Sequence, residues 1–141
     1  MNASLLDPDG PGAKQLKQSA SNKLLLQVVK LDVTSEDDQK ATFKLVEKWL
    51  TERNLQLYAI VNNAGIAHSS LIEWHKSSDG DVDDFKRLLD VNFLSVVRTC
   101  RSLLPLVRKS RGRVINLTSF LSRIGIRNIS YIGLTDNVLF T

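Results

Sequence analysis

Short apolar runs alternate with helical patterns along this 141-residue chain, and this alternation limits its fold more than any other feature. The runs predict strands over residues 3–6, 24–33, 58–61 and 113–117, all but the first largely buried. The segments between them predict helices over residues 13–20, 35–53 and 82–109. Strands that alternate with helices favour a parallel sheet with helices on both faces. We therefore predict an α/β fold with a doubly wound parallel sheet.

Composition excludes several classes of protein. Apolar residues make up 43% of the chain and charged residues 24%, which is typical of a globular domain and not of a disordered one. The single cysteine, Cys100, excludes an internal disulfide framework and a multi-cysteine metal site, and we predict no metal centre. The first residues form no signal peptide, and the longest uncharged run is too polar for a membrane span. A cytoplasmic location is the default expectation.

Polar side chains that follow the predicted strands are the first candidates for a site, because ligands bind beyond the carboxyl ends of strands in such sheets. Asn62, Asn63, Ala64 and Gly65 come directly after the third strand. Small amides and a glycine let the backbone approach a flat ligand closely, but an ordinary turn uses the same residues. Asp32 follows the second strand, where it either contacts a heterocyclic ring or lies near the cap of the next helix.

Three further polar residues stand out later in the chain. Asn92 falls on the apolar stripe of the third helix, where a side-chain amide must find partners. It is either a satisfied core residue at a kink or a group that lines a site and holds water. Ser119 follows the fourth strand, and Tyr131 lies twelve residues later, so a serine hydroxyl and a phenol could act on one carbonyl. The stripe itself consists of Phe85, Leu88, Leu89, Phe93, Val96, Val97, Cys100, Leu103, Leu104 and Val107.

Taken in order, these motifs resemble the short-chain dehydrogenase/reductase family, from about residue 5 to residue 131. The stretch 62–65 resembles the family's Asn-Asn-Ala-Gly motif, and Asp32 resembles its adenine-contacting aspartate. Asn92 resembles the active-site asparagine of the family. Ser119 and Tyr131 resemble its catalytic serine and tyrosine.

The resemblance implies a Rossmann-like fold and hydride transfer between NAD or NADP and a secondary alcohol or carbonyl. The tyrosine is then the acid and base, the serine orients the substrate oxygen, and the asparagine anchors a water. Residues 104–114 resemble the retinol, hydroxysteroid and 3-hydroxybutyrate dehydrogenase branch, so the substrate would be a retinoid, a steroid or a hydroxy acid. Asp7, at the end of the family's second strand, is a candidate for the ribose hydroxyls, which favours NAD.

The chain departs from the family pattern at both ends. Thr135 stands where the family has a lysine that lowers the tyrosine pKa, and no lysine follows Lys109. The glycines at 10–12 do not form the glycine-rich cofactor turn that follows the family's first strand. We expect residues 1–131 to form a partial NAD(P)-binding domain without that strand and turn, and residues 132–141 to form an aberrant tail. The chain is then an inactive fragment.

The missing strand would lie between two strands of this chain. The strands at 3–6 and 58–61 then either pair directly with each other or leave two apolar edges open, which is an aggregation hazard.

Two other functions are open on the sequence alone. Residues 91–135 contain eight basic and no acidic residues, as a nucleic-acid or lipid-binding module would. A solvated face with cations near a helix C-terminus explains them more simply, so we predict no nucleic-acid partner. The chain could instead be a non-catalytic partner that forms a homo- or heterodimer with a relative through the helix at 82–109.

Overall fold

The structure is a computed structural model, and it describes residues 2–21, 26–67 and 81–119. The predicted alternation of strands and helices is confirmed, and the third helix contains a π-helical turn. The elements in chain order are β1 (Asn2–Leu5), α1 (Pro11–Ser19), β2 (Gln27–Lys30), α2 (Glu36–Glu52), β3 (Ala59–Asn62), α3 (Asp81–Leu89), the π-turn (Asp90–Leu94), α4 (Ser95–Lys109) and β4 (Arg113–Asn116).

The described residues form two compact units that divide after Leu55. In the first unit β1 pairs with β2, with Ala3 opposite Val28. In the second unit β3 pairs with β4, with Ile60 opposite Val114. Both pairs are parallel, as predicted, but the described strands form two two-stranded sheets rather than one. The sequence left open whether β1 pairs directly with β3. Among the described strands it does not.

A tight turn carries the chain from β1 into α1. The Asp7 carbonyl accepts a hydrogen bond from the Gly10 N–H at 3.4 Å, and its carboxylate accepts one from the Asp9 N–H at 3.0 Å. Pro11 follows as the first helical residue, a position where its fixed φ suits the helix and its missing N–H costs nothing. Ala13 is the buried residue of this helix.

Helix α2 begins at the predicted cap. The Ser35 hydroxyl accepts a hydrogen bond from the Asp38 N–H at 3.2 Å, and three acidic residues occupy the first turn. The predicted apolar face is buried at Val46 and Leu50 and half-buried at Phe43. Helix α2 packs against β2.

The second strand is shorter and more exposed than predicted. β2 covers four residues, Val28 and Val29 are only half-buried, and Lys30 is exposed. The prediction of a largely buried strand is wrong here because, in the described part of the chain, β2 has a hydrogen-bonded neighbour on one side only. Residues 22–25 lie outside the described residues.

The third predicted helix is α3, the π-turn and α4 in succession, and its core residues are Leu88, Val96, Leu103 and Val107. Val97, which was predicted to lie on the same stripe, is 38% exposed. The π-turn adds one residue to a helical turn and so shifts the phase of the stripe after it. None of the helices in the described ranges is long and apolar enough to cross a bilayer.

Strands β3 and β4 are covered on one face by α4. Ile60 is buried on this face, and Asn62, two residues later, places its amide nitrogen 3.9 Å from the Cys100 sulfur on α4. On the other face Val61 and its register partner Ile115 are 56% and 44% exposed. The prediction that these two strands are buried is therefore wrong for one face of each, and Asn116 at the end of β4 is exposed too.

Candidate functional site

The carboxyl ends of β3 and β4 lie side by side, and two side-chain amides join them. The Asn62 Nδ2 donates a hydrogen bond to the Asn116 Oδ1 at 2.8 Å, and the two residues are opposite each other in the parallel register. The Leu117 N–H donates to the Asn62 carbonyl at 2.9 Å and so extends the ladder beyond both strands. At this edge residues 63–65 follow β3, and Ser119 follows β4.

Asn92 holds the turn that follows β3. Its Oδ1 accepts a hydrogen bond from the Ile66 N–H at 2.9 Å, and its Nδ2 donates one to the Ile66 carbonyl at 2.9 Å. A Cβ built on Gly65 would lie 3.7 Å from the same Asn92 oxygen. The half-buried amide is therefore satisfied by backbone at the end of the Asn-Asn-Ala-Gly turn. Two motifs that lie about thirty residues apart in sequence meet at this point.

The π-turn sets the position of Asn92 within the helix. The Ser95 N–H donates to the Asp90 carbonyl, five residues earlier, instead of the carbonyl four residues earlier that an α-helix would use. Single π-turns inside α-helices occur frequently at functional sites. The kink that the sequence left open as an explanation for Asn92 is thus a π-turn, and the Asn92 side chain bonds to the Ile66 backbone.

Ser119 lies three residues beyond β4 and is half-buried. Because β3 and β4 are parallel, it follows the same sheet edge as the turn after Asn62. Tyr131 and Thr135 lie outside the described residues. Asn62, the turn after it, Asn92 and Ser119 therefore belong to one unit and one edge of its sheet.

Asp32 lies in the other unit, at the carboxyl end of β2, where it closes the turn before α2. Its Oδ1 accepts hydrogen bonds from the Thr34 hydroxyl at 2.7 Å and the Thr34 N–H at 2.9 Å. These two bonds, helped by the nearby charge of Lys30, hold the pKa of the Asp32 carboxyl below its ordinary value of 3.8. The carboxylate is therefore ionised at neutral pH while it performs a local capping role.

Asp7 follows β1, and the Leu31 N–H donates to the Leu5 carbonyl at 2.8 Å at the same end of the sheet. Because β1 and β2 are parallel, Asp7 and Asp32 follow the same edge of that sheet. Asp7 is exposed, so its carboxylate is open to hydroxyl donors. No group of three or more metal-ligating side chains occurs within the described ranges.

A cavity of about 240 Å³ adjoins the turn that Asn92 holds. It is lined by Ile66, Ala67, Asp84, Arg87 and Leu88. Small-molecule sites usually enclose about 300–1,000 Å³, so this cavity alone is smaller than a typical ligand site. Two charged side chains of α3, Asp84 and Arg87, therefore line a space beside the turn that follows β3.

Sequence reasoning missed the residues that support the candidate site. Asn116 was read only as part of a buried strand, although it ends its strand as Asn62 does, and that shared position was the available signal. Ser95 and Arg98 carried no signal, because their contacts depend on a π-turn that breaks ordinary helical spacing.

Comparison with known proteins places these residues in context. A family model described as short chain dehydrogenase matches residues 4–131. Retinol dehydrogenase 7 of Mus musculus is 40% identical over 117 residues, which cover 82% of this chain and 34% of that protein. The 17-beta-hydroxysteroid dehydrogenase type 6 of Bos taurus is 38% identical over 121 residues, covering 85% of this chain and 35% of that protein. The chain thus spans about a third of the length of these relatives.

Solved structures agree at the level of the fold. An NADPH-bound carbonyl reductase from chicken fatty liver superposes with a TM-score of 0.81 at 23% identity, over 98% of this chain and 57% of that one. ElxO with NADP bound superposes with a TM-score of 0.76 at 21% identity, over 98% of this chain and 52% of that one. The fold of this chain is therefore shared with these larger proteins.

Proposed function

Since the chain belongs to the short chain dehydrogenase family, we propose that it forms part of a nicotinamide-dependent oxidoreductase site. The reaction transfers a hydride between NAD or NADP and a secondary alcohol or carbonyl. The substrate class is a retinoid or a steroid, by analogy with the retinol and 17-beta-hydroxysteroid dehydrogenases that the chain resembles. In this proposal residues 1–131 carry the partial cofactor-binding domain, and residues 132–141 lie outside it.

The observation that carries this proposal is the double hydrogen bond between Asn92 and Ile66. It connects the active-site asparagine of the motif to the turn that follows β3. A side chain whose amide oxygen and amide nitrogen are both hydrogen-bonded to backbone has a fixed orientation, which a site that orders a water or substrate requires. The hydrogen bond between the Asn62 and Asn116 side chains also joins β3 to β4 at this edge of the sheet.

The roles of the remaining residues follow from their chemistry. Ser119 orients the substrate oxygen through its hydroxyl, and Tyr131 exchanges a proton with that oxygen. Asn92 anchors a water that takes part in proton transfer. This assignment is supported by the position of Ser119, which lies three residues beyond β4 at the same sheet edge as the turn after β3.

The residues of the first unit fit a dinucleotide in two places. The ionised Asp32 carboxylate can accept a hydrogen bond from an exocyclic amine of adenine. The exposed Asp7 carboxylate can accept hydrogen bonds from two ribose hydroxyls and would repel a phosphate there, which favours NAD over NADP. In the second unit, the small residues at 63–65 let the backbone approach a flat ligand closely. When bound, the nicotinamide supplies or accepts the hydride.

The chain itself has little activity in this proposal. Position 135 carries a neutral threonine hydroxyl, which cannot provide the positive charge that lowers the pKa of a tyrosine. We therefore expect the Tyr131 phenol to be a poor general base. Oxidation of an alcohol, which needs that base, is the direction most affected.

Isothermal titration of the 141-residue chain with NAD and with NADP tests cofactor binding, and oxidation of retinol and of a 17-hydroxysteroid tests turnover. We expect binding weaker than micromolar and no measurable turnover. The variant Thr135→Lys restores the cation, so any turnover gained with it should be lost again in the double variant with Tyr131→Phe. Micromolar binding or clear turnover by the unaltered chain would contradict the inactivity proposal.

A second candidate function is a non-catalytic dimer partner of a relative. Leu94 and Val97 lie three residues apart at the π-turn and the start of α4, and they are 41% and 38% exposed. Apolar side chains at this spacing share one helix face and can pack against a second helix. Sedimentation of the chain, alone and mixed with a full-length relative, checks this, and Val97→Lys should weaken any association that uses this face.

A further inference from the structure

The π-turn leaves one backbone carbonyl without its usual donor. In a regular α-helix the Ser95 N–H would bond to the Val91 carbonyl, but here it bonds to the Asp90 carbonyl. The Ser95 hydroxyl donates to the Val91 carbonyl instead, at 2.6 Å. Ser95 is buried, so water cannot easily supply this bond. One side chain therefore satisfies the acceptor that the wide turn leaves open.

An ion pair spans the same turn. The Arg98 Nη2 lies 2.5 Å from the Asp90 Oδ1, and the two residues are eight positions apart. Side chains of a helix lean toward its N-terminus, so Arg98 reaches back across the π-turn to its first residue. Ordinary helical ion pairs join residues three or four apart and hold only one turn. This pair ties the first residue of the π-turn to the first turn of α4.

The burial of this pair separates it from the other ion pairs on the helices. The Arg98 and Asp90 side chains are 29% and 30% exposed, whereas those of Lys86 and Asp83 in α3 are 70% and 71% exposed. The Arg98 Nη1 is buried and has no hydrogen-bond partner in the described part of the chain. A partly desolvated pair is costly to break, because the charge left behind is poorly solvated.

We propose that Ser95 and Arg98 are positioning residues, which hold the π-turn and through it hold the Asn92 amide against Ile66. Asn92 lies in the chain between Asp90 and Arg98, so a relaxed π-turn would move its amide away from the Ile66 backbone. The functional role of Ser95 and Arg98 rests on the proposed role of Asn92. The hydrogen bonds that these two residues make do not depend on that proposal.

Amide hydrogen exchange of the 141-residue chain, followed by NMR, measures the coupling directly. The Ile66 N–H is protected by the Asn92 Oδ1, so it exchanges when that bond opens. In Arg98→Met we expect the Ile66 amide to exchange about tenfold faster, as the loss of a partly buried ion pair implies. Ser95→Ala should act in the same direction because it removes the donor to Val91.

Matched variants separate positioning from general loss of stability. Arg98→Lys keeps the positive charge and should recover most of the protection at Ile66. Lys86→Met removes the exposed pair with Asp83, and Ser102→Ala removes an exposed hydroxyl of α4, so neither should change it.

Two results would overturn the proposal. One is an unchanged rate at Ile66 in both Arg98→Met and Ser95→Ala. The other is an equal acceleration at amides throughout the second unit, which would mean that the variants only destabilise the fold. No cofactor or substrate enters the measurement, so a failed NAD titration leaves its outcome intact, and an unchanged Ile66 rate leaves the titration intact.

Discussion

The Asp32 carboxylate closes the turn between β2 and α2. One of its oxygens, Oδ1, accepts both donors of Thr34, and the Asp32 N–H donates to the Asp38 Oδ2 at 3.1 Å. The two bonds from Thr34 fix the carboxylate at the end of β2 and favour its charged form. A group fixed in this way needs no further ordering when a ligand binds.

The first prediction concerns the pKa of Asp32. Replacing Thr34 with valine removes the hydroxyl that lowers this pKa most, so the pKa should rise toward 3.8. Carboxyl ¹³C titration by NMR measures the change. Thr34→Ser keeps the hydroxyl and should leave the pKa low. A Thr34→Val protein whose Asp32 titrates unchanged would show that the hydroxyl contributes nothing.

The same shift predicts a dependence of stability on pH. The native pKa of Asp32 lies below 3.8, so its ionisation stabilises the fold fully above that pH. This contribution is lost as the pH falls through the native pKa, because the native carboxylate then takes up its proton too. The stability difference between the natural chain and Thr34→Val should therefore shrink in acid, as urea unfolding at several pH values would measure.

At the scale of elements, the start of β4 depends on a glycine. Gly112 donates its N–H to the Val107 carbonyl at 2.9 Å, and Arg113 donates to the Tyr58 carbonyl at 2.8 Å. A Cβ at Gly112 would overlap the Tyr58 carbonyl oxygen and lie 2.7 Å from its carbon. Backbone on the neighbouring segment would have to move, because it has no rotamer by which to escape.

We predict that Gly112→Ala lowers the free energy of unfolding by about 3 kcal/mol, as overpacking against backbone does. Gly12→Ala is the matched control, since a Cβ there meets no atom within 4 Å and the residue lies in α1. Alanine should stabilise that helix by about 0.5 kcal/mol. Urea unfolding measures both changes. Equal stabilities of the two variants would contradict the contact at Tyr58.

The helical segment that carries Asn92 contains a π-turn that its residue pattern does not reveal. Its apolar stripe predicts one continuous helix, and α3, the π-turn and α4 do follow one another without a break. The extra residue in the π-turn is invisible in that pattern. It depends on Ser95 and Asp90, whose bonding is settled only once the chain has folded.

At the scale of the molecule, one face of the β3–β4 sheet is exposed in the described part of the chain. Val61, Ile115 and Leu117 lie on β3, on β4 and just after it, and each is large, apolar and exposed. Neighbouring apolar side chains on a short sheet favour association with other molecules. The aggregation hazard foreseen at open strand edges thus extends to a sheet face.

We predict that Ile115→Lys reduces self-association, because a charge on this face opposes burial against another molecule. The free energy of unfolding should change by less than about 0.5 kcal/mol, since the side chain is exposed. Leu45→Lys on α2 is the control, with nearly the same exposure at a distance in sequence from the sheet. Light scattering over a concentration series measures association. Equal effects of both lysines would mean that added charge alone is responsible.

Much of the fold class follows from local pattern. Alternating strands and helices, the Ser35 cap and the proline at the start of α1 are all set by residues close in sequence. Burial was the weakest prediction, because it depends on which layers cover a strand. The pattern predicts that Val61 and Val97 are buried, yet both are exposed.

The sequence by itself determined which chemical groups the chain offers: two strand-end aspartates, an amide-rich turn, and Asn92, Ser119 and Tyr131 in family order. Only the tertiary structure decided that Asn92 bonds to the Ile66 backbone, that Asn62 pairs with Asn116, and that the described strands form two small sheets. The reason is physical. Caps and turns form between neighbours in sequence, whereas strand pairing and the contacts of a π-turn join residues that meet only after folding.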